Sequence, residues 1–216
     1  MLDPRQKNYA PPAKNITEYL NGYASTIEKA VRSVSAEKME LVFSILREKL
    51  ETGAQIFAAG NGGSAAIAAH LCCDWTKSTR IENEPSLRVQ SLMENTSLLT
   101  ALANDISYED AVAEQLKLLA KEGDAVILLS CSGNSPNMIR AAQTARKMEI
   151  DVISLTGFDG GKLLPLSDIG LHVPLNNYGM IEDSHQMLMH VLTQYLYLWR
   201  VQQKDRRPSQ STHAQI

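Results

Sequence analysis

The sequence has few cysteines, no long apolar run and no strong excess of charge of one sign. Three cysteines in 216 residues, two of them adjacent at Cys72 and Cys73, do not form the disulfide framework of a small secreted domain. No apolar stretch reaches the length of a membrane span, and the first residues lack a signal-peptide pattern. A formal net charge of −3 argues against a general nucleic-acid binder. We therefore expect a cytoplasmic protein with neither a membrane nor direct nucleic acid as its partner.

What remains is an ordinary globular composition, with 44% hydrophobic and 21% charged residues. The length suits one domain with a substantial core. The first residues are polar and contain three prolines, whereas the last fifteen or so are polar throughout. We expect a flexible arm over residues 1–14, a single domain over residues 15–201 and a polar tail over residues 202–216.

The order of helical and apolar segments predicts the fold class. Two amphipathic helices come first, one from Asn15 and one between Ser35 and Gly53. Short apolar runs typical of buried parallel strands then alternate with helices, the last helix running from Met180 to Val201. The predicted strands are residues 55–59, 86–92, 124–129, 151–156 and 169–173. This alternation indicates an α/β protein, a three-layer sandwich with a parallel sheet covered by helices on both faces.

Two of the predicted strands end in turns rich in glycine and serine, Gly60–Ser64 and Ser130–Ser135. In open parallel sheets the ligand crevice lies beyond the carboxyl ends of the strands. Each turn opens a helix whose free amides form an anion site, and Ser64 is well placed to cap the first helix. The second turn adds three hydroxyl groups. Together the two turns predict a binding site for a phosphate monoester.

The first turn also fits a dinucleotide-binding fingerprint, through Gly60, Gly62 and Ala65. That function requires an acidic residue at the end of the second strand. Glu82 and Glu84 precede the predicted strand instead of ending it. A dinucleotide site also leaves the second turn unexplained, so we favour the phosphate monoester.

Further segments extend the two turns into a pattern over residues 15–200. They are Gly60–Ser64 with His70, Ala103–Asp105, Ser130–Ser135, Leu155–Gly161 and Glu182–His190. In this order the chain resembles the sugar isomerase (SIS) domain family, and within it the phosphoheptose isomerases. The resemblance implies a five-stranded parallel sheet, a homotetramer and active sites shared between subunits. It also implies aldose–ketose isomerisation of a phosphorylated sugar, with sedoheptulose 7-phosphate as the first candidate.

The resemblance assigns roles to individual residues by position. Zinc ligands are implied at His70 and His190, with one zinc per subunit. Cys131 replaces a threonine of the phosphate loop, a mild change because the backbone amide survives. Glu182, also a substrate contact, replaces a glutamine, and Cys73 stands where the isomerases carry a glutamate that is acid/base and metal ligand. The other implied substrate contacts are Asn61, Gly62, Gly63, Ser64, Asn104, Asp105, Ser130, Cys131, Ser132 and Ser135.

The cysteine at position 73 raises a chemical difficulty. Isomerisation needs one group to remove a proton from carbon and another to return one. Cysteine, with an ordinary pKa of about 8.5, is a poorer proton shuttle than a carboxylate but a good zinc ligand. Asp74 is one residue further on, roughly 100° round the helix, and is not expected to replace the glutamate. We hypothesise that the carboxylate has moved to Glu182. His70, Cys73, Glu182 and His190 then form a zinc set, and Cys73, Glu182 and His190 are the catalytic residues.

Two alternative functions remain open on the sequence. Some SIS proteins that lack the same glutamate are regulators, among them one that binds the replication initiator protein DnaA. His70, Glu182 and His190 argue against this alternative, because a regulator has little need of them. The chain could also isomerise another phosphosugar, since selectivity for chain length depends on the depth of the pocket.

Overall fold

A computed structural model describes residues 13–206 of the chain. A sheet lies between two layers of helices, as the alternation of elements predicts. The elements are α1 (Ile16–Arg32), α2 (Ala36–Thr52), β1 (Gln55–Gly60), α3 (Gly63–Lys77), β2 (Arg88–Ser91), α4 (Thr96–Asp105), α5 (Ala111–Leu119), β3 (Ala125–Ser130), α6 (Pro136–Lys147), β4 (Asp151–Thr156), a 3-10 turn (Leu164–Leu166), β5 (Ile169–His172) and α7 (Tyr178–Arg206).

All five strands are parallel, in the order β2-β1-β3-β4-β5. The predicted class, a five-stranded parallel sheet between helices, is confirmed. The strand order reverses at β1, which pairs with β2 on one side and β3 on the other. Gly60 at the end of β1 pairs with Leu129, next to Ser130 at the end of β3. The two predicted phosphate turns therefore leave the sheet side by side, at the switch point where α/β proteins bind ligands.

Alternate side chains of the central strands build a core on each face of the sheet. Val126 and Leu128 of β3 are buried among residues of α5 and α6. Ile127 and Leu129 face the other way and are buried among residues of α2, α3 and α7. This second face holds α3 against α7, which fixes the position of the site described below.

The helix ends follow from local chemistry. Asn15 accepts a hydrogen bond from the Glu18 amide and so caps α1, and Ser35 caps α2 in the same way. Gly53 ends α2 with a left-handed φ of 70°, which suits glycine. The last helix runs to Arg206, beyond the predicted end at Val201, because no helix breaker precedes Pro208.

The boundaries of the domain stay a prediction. Most of the predicted arm and the end of the predicted tail, residues 1–12 and 207–216, lie outside the described residues. Within residues 13–206, no helix is both long and apolar enough to cross a membrane.

Candidate active site

The turn after β3 presents serine hydroxyls at the start of α6. Ser135 is the N-cap residue of α6, yet its side chain makes no capping hydrogen bond. Its Oγ lies instead 3.1 Å from the Oγ of Ser130. Ser132 Oγ accepts a hydrogen bond from the Asn134 amide at 3.1 Å. The hydroxyls of Ser130 and Ser135 can therefore rotate toward a bound anion without breaking a cap of the helix.

The shape of this turn depends on Gly133, whose φ is +62°. A Cβ atom there would lie 1.9 Å from the carbonyl oxygen of Gly160, in the turn after β4. The Gly133 carbonyl also accepts a hydrogen bond from the Leu163 amide at 2.9 Å. Only glycine allows this close approach of two backbones, and the contact holds the serines in place.

The turn after β1 leaves the start of α3 without a side-chain cap. The N-cap is Gly62, with a φ of 56°, and no side chain bonds to the first amides of the helix. The prediction that Ser64 caps α3 was wrong, because the helix begins at Gly63 and Ser64 lies inside its first turn. The Ser64 side chain is buried, with its Oγ 3.8 Å from the Sγ of Cys131. The two predicted turns thus contact each other through these two side chains.

Glu182, in the first turns of α7, lies over the start of α3. A Cβ atom added to Gly63 would be 2.4 Å from its Oε1, and the same oxygen is 3.9 Å from the Sγ of Cys131. Burial, and then repulsion from Asp183, raise the pKa of the Glu182 carboxyl. Burial also raises the pKa of the Cys131 thiol to about 12, so this thiol is neutral and its S–H donates a hydrogen bond to Glu182.

These groups surround a cavity of about 150 Å³ at the carboxyl ends of β1 and β3. Its lining contains most of the predicted substrate contacts, together with Tyr178, which was not predicted. Gly62 and Gly63 form the adjoining turn, whereas Asn104 and Asp105 are exposed and bond to each other, with Nδ2 and Oδ1 2.8 Å apart. The lining residues are Asn61, Ser64, Leu129, Ser130, Cys131, Ser132, Ser135, Tyr178 and Glu182.

Further along the same two helices, α3 and α7 bring together two histidines, an aspartate and a glutamine. His70 and Asp74 are four residues apart on α3, and Gln186 and His190 are four apart on α7, so each pair shares a face. Asp74 Oδ2 lies 3.5 Å from His70 Nε2 and 3.4 Å from His190 Nε2. Gln186 Nε2 lies 3.1 Å from His70 Nδ1 and 2.9 Å from His190 Nε2.

The carboxylate between the two histidines is that of Asp74, which was not expected to replace the glutamate because it follows Cys73 by one residue. Its position is explained by its spacing from His70, four residues earlier on α3. A separation of four residues returns nearly to the same side of the helix. Gln186 was likewise missed as a site residue, although its spacing from His190 was available in the sequence.

Two members of the predicted zinc set lie elsewhere. Among residues 13–206, the group of metal-ligating atoms within 4.8 Å of one another consists of His70, Asp74 and His190. Cys73 is exposed and is not in this group. Glu182 lies two helical turns before His190, in the serine-lined cavity.

The histidine and aspartate group fits a zinc ion. Two imidazole nitrogens and one carboxylate oxygen are a common donor set of catalytic zinc, which leaves one position open. Two donors each 2.0–2.1 Å from a tetrahedral zinc lie about 3.4 Å apart. The two separations from Asp74 to the histidines, 3.5 Å and 3.4 Å, are close to this value. The group could therefore hold a zinc ion, with His70, Asp74 and His190 as its ligands.

Comparison with known proteins places the chain in a family. Residues 18–157 match the model of the SIS domain family, and the chain belongs to this family. It is 37% identical to the phosphoheptose isomerase of Helicobacter pylori over 79% of this chain and 88% of that protein. It is 39% identical to the enzyme of the same name from Mycobacterium bovis, over 67% of this chain and 73% of that protein.

Solved structures agree with this relationship. Phosphoheptose isomerase GmhA from Neisseria gonorrhoeae is 29% identical, with a TM-score of 0.76 over 84% of this chain and 98% of that chain. A phosphoheptose isomerase from Francisella tularensis is 26% identical, with a TM-score of 0.78 over 85% of this chain and 96% of that chain. The predicted resemblance is confirmed.

Proposed function

We propose that the protein is a sugar-phosphate isomerase that interconverts sedoheptulose 7-phosphate and a heptose 7-phosphate. The observation that carries this proposal is the arrangement along α3 and α7, with a serine-lined anion cavity at one end and a His–Asp–His group further along. The choice of substrate is supported by the relatives, which are named phosphoheptose isomerases.

The phosphate is assigned to the start of α6. Ser130, Ser132 and Ser135 offer hydroxyls there, and the positive end of the helix favours an anion. The start of α3 is less suitable, because the carboxyl group of Glu182 already lies over Gly63. The sugar hydroxyls therefore lie against the Gly60–Ser64 turn.

The length of the site supports a long sugar. Glu182 and His190 are eight residues apart on α7, which is about 12 Å along the helix axis. A seven-carbon chain bound by a terminal phosphate near Glu182 would extend its reacting end toward His190. A triose phosphate would be too short to contact both places.

Asp74 and His190 are assigned the proton transfers at the reacting carbons, in place of Cys73. Asp74 faces both histidines, at 3.5 Å and 3.4 Å, so its carboxylate can hold either ring in position and lies where a proton of the substrate would be transferred. Glu182, whose pKa is raised by burial, lies in the serine-lined cavity at the phosphate end, where its carboxyl group can hydrogen-bond to a hydroxyl of the sugar. Zinc held by His70, Asp74 and His190 would polarise the carbonyl group of the substrate.

The experiment is to incubate the purified protein with sedoheptulose 7-phosphate and zinc, and to separate the products by anion-exchange chromatography. We expect a heptose 7-phosphate to form, and we expect His190→Ala to abolish it. Equal product from wild type and His190→Ala, or none from either, would remove this function.

The alternative role as a regulator of replication initiation loses its main support. It depended on the absence of the catalytic carboxylate at position 73, and Asp74 offers a carboxylate to the same histidines. A pull-down with the initiator protein would test it directly, and we expect no capture. The proposed setting is the cytoplasm, in keeping with three cysteines that are all free.

A homotetramer is the proposed assembly. Met187, Val191 and Leu198 of α7 are apolar and about half exposed, and Ile16 and Leu20 of α1 are exposed further. Because α1 packs beside α7, these side chains can form one apolar surface for another subunit. Met187 and Val191 adjoin Gln186 and His190 in sequence, so such an interface would lie next to the site. Light scattering on the purified protein should give the mass of four chains.

A further inference from the structure

Asn61, in the turn after β1, is part of the lining of the serine-lined cavity. Its side chain is held by two residues that are not part of this lining, Asn137 and Tyr108. Its amide forms two hydrogen bonds with the amide of Asn137 on α6, each of 2.9 Å. The hydroxyl of Tyr108 lies 2.8 Å from its Oδ1. We propose that Asn137 and Tyr108 are positioning residues that orient the Asn61 amide so that it donates an N–H to an oxygen of the phosphosugar. This inference rests on the proposed function.

The orientation of the Asn137 amide is set by the backbone. Its Oδ1 accepts a hydrogen bond from the Met138 amide at 3.1 Å. A backbone N–H can only donate, so the side-chain atom facing it must be the oxygen of Asn137 and not the nitrogen. Asn137 is buried, at 2% exposure, and has little freedom to turn over.

The orientation of Asn61 follows from that of Asn137. The two amides pair head to tail, so the Asn61 nitrogen must face Asn137 Oδ1 and the Asn61 oxygen must face Asn137 Nδ2. Tyr108 contacts the Asn61 oxygen, so its hydroxyl acts as the donor. The Met138 backbone thus determines the amide orientation through two successive side chains.

The hydrogen-bonding capacity of Asn61 shows what remains for a ligand. Its oxygen accepts two bonds, from Asn137 and Tyr108, which fill both lone pairs. Its nitrogen carries two hydrogens, and one of them is donated to Asn137. Within residues 13–206, the second N–H of Asn61 is not donated to another side chain and remains available to a ligand in the cavity. The cavity therefore offers a donor at this point, which suits a hydroxyl or carbonyl oxygen of a sugar.

The segment that carries Tyr108 is itself fixed to the helix that carries Asn137. Arg140 of α6 forms ion pairs with Asp110 and Glu109, two and one residues after Tyr108. Ser107 Oγ also donates to Asp110 Oδ2 at 2.7 Å. Tyr108 is about half exposed, so these neighbouring bonds, and not burial, keep its hydroxyl on Asn61.

The test is a double-mutant cycle on substrate turnover, with Asn61→Ala, Tyr108→Phe and the combination. Tyr108→Phe removes a single hydroxyl, and we expect KM to rise about three- to tenfold with kcat unchanged. In the Asn61→Ala background, Tyr108→Phe should have no further effect, because Tyr108 acts only through Asn61. Tyr197→Phe, an exposed tyrosine of α7, is the matched control and should match wild type.

Asn137→Asp is the second variant, since it keeps the acceptor for Met138 but removes the donor to Asn61. We expect its KM to rise at least as much as in Tyr108→Phe, with melting temperature measured beside it. If Asn137→Asp does not fold, the double-mutant cycle of Asn61→Ala and Tyr108→Phe is sufficient to test the inference. Equal effects of Tyr108→Phe in both backgrounds, or no effect in either, would overturn the inference while the proposed function stands. If wild type neither converts nor binds sedoheptulose 7-phosphate in calorimetry, the proposed function fails, and the inference with it.

Discussion

Substitution of Asp74 by asparagine tests the site most sharply, because it replaces one oxygen by nitrogen at almost constant volume. Asp74 Oδ2 lies 3.5 Å and 3.4 Å from Nε2 atoms of His70 and His190. An asparagine cannot take up a proton from the substrate as a carboxylate can, and it is a weak ligand for zinc. General acid–base catalysis contributes about 10²–10⁴-fold to a rate, so we expect kcat to fall by at least about 100-fold. KM should change little, because the serines that bind the phosphate are not altered.

The assay is conversion of sedoheptulose 7-phosphate, followed chromatographically, with zinc content measured on the same samples by mass spectrometry. Cys73→Ser is the matched control, one residue away on the same helix and exposed to solvent. We expect Cys73→Ser to keep wild-type activity and zinc, whereas Asp74→Asn loses both. If Asp74→Asn keeps more than a tenth of the activity, or if Cys73→Ser loses as much, the assignment of the carboxylate to Asp74 is refuted.

Four further substitutions probe the phosphate turn and the buried carboxyl. Ser130→Ala or Ser135→Ala should raise KM about 10- to 100-fold with little effect on kcat, because each removes a hydrogen bond to a charged group. The control Ser44→Ala, on α2, should leave KM unchanged. A loss of kcat without a change in KM would contradict the role of these serines in binding. Gly133→Ala should lower the free energy of unfolding by at least about 2 kcal/mol, since its Cβ would meet a backbone carbonyl. Gly62 also has a positive φ but has open space around it, so Gly62→Ala should lower the free energy of unfolding by less in urea titrations. Equal losses in the two variants would contradict the role of packing at Gly133. Glu182→Gln should stabilise the protein at pH 8 but not at pH 4. The pKa of Glu182 is raised in the folded state, so stability falls as pH rises from the unfolded-state pKa through the folded-state pKa. Glutamine carries no charge at either pH and removes this loss. An equal gain at both pH values would show that the carboxyl is not destabilised by burial.

The fold could be predicted largely because it depends on local patterns. The apolar runs of β3 and β4 and the capping residues Asn15, Ser35 and Gly53 each determine their own element. The convergence of the two phosphate turns also follows from sequence once the strands are taken as parallel, because the carboxyl ends share one edge of the sheet.

The site was predicted less completely, for two physical reasons. Asp74 was excluded by a comparison with Cys73, although its spacing from His70 already placed both on one face of α3. The bond between Tyr108 and Asn61 could not be found in this way, since it joins residues 47 positions apart. It exists because the segment before α5 packs against α6 through Arg140, a contact that no local pattern encodes.

The measurement that tests the central claim most directly is an NMR spectrum of sedoheptulose 7-phosphate incubated with the wild-type protein in D₂O. An isomerase that moves a proton between neighbouring carbons through an enediol should form a heptose 7-phosphate that carries solvent deuterium at C2. An unchanged substrate spectrum would contradict the proposed activity. A product without deuterium would contradict the proton transfers assigned to Asp74 and His190.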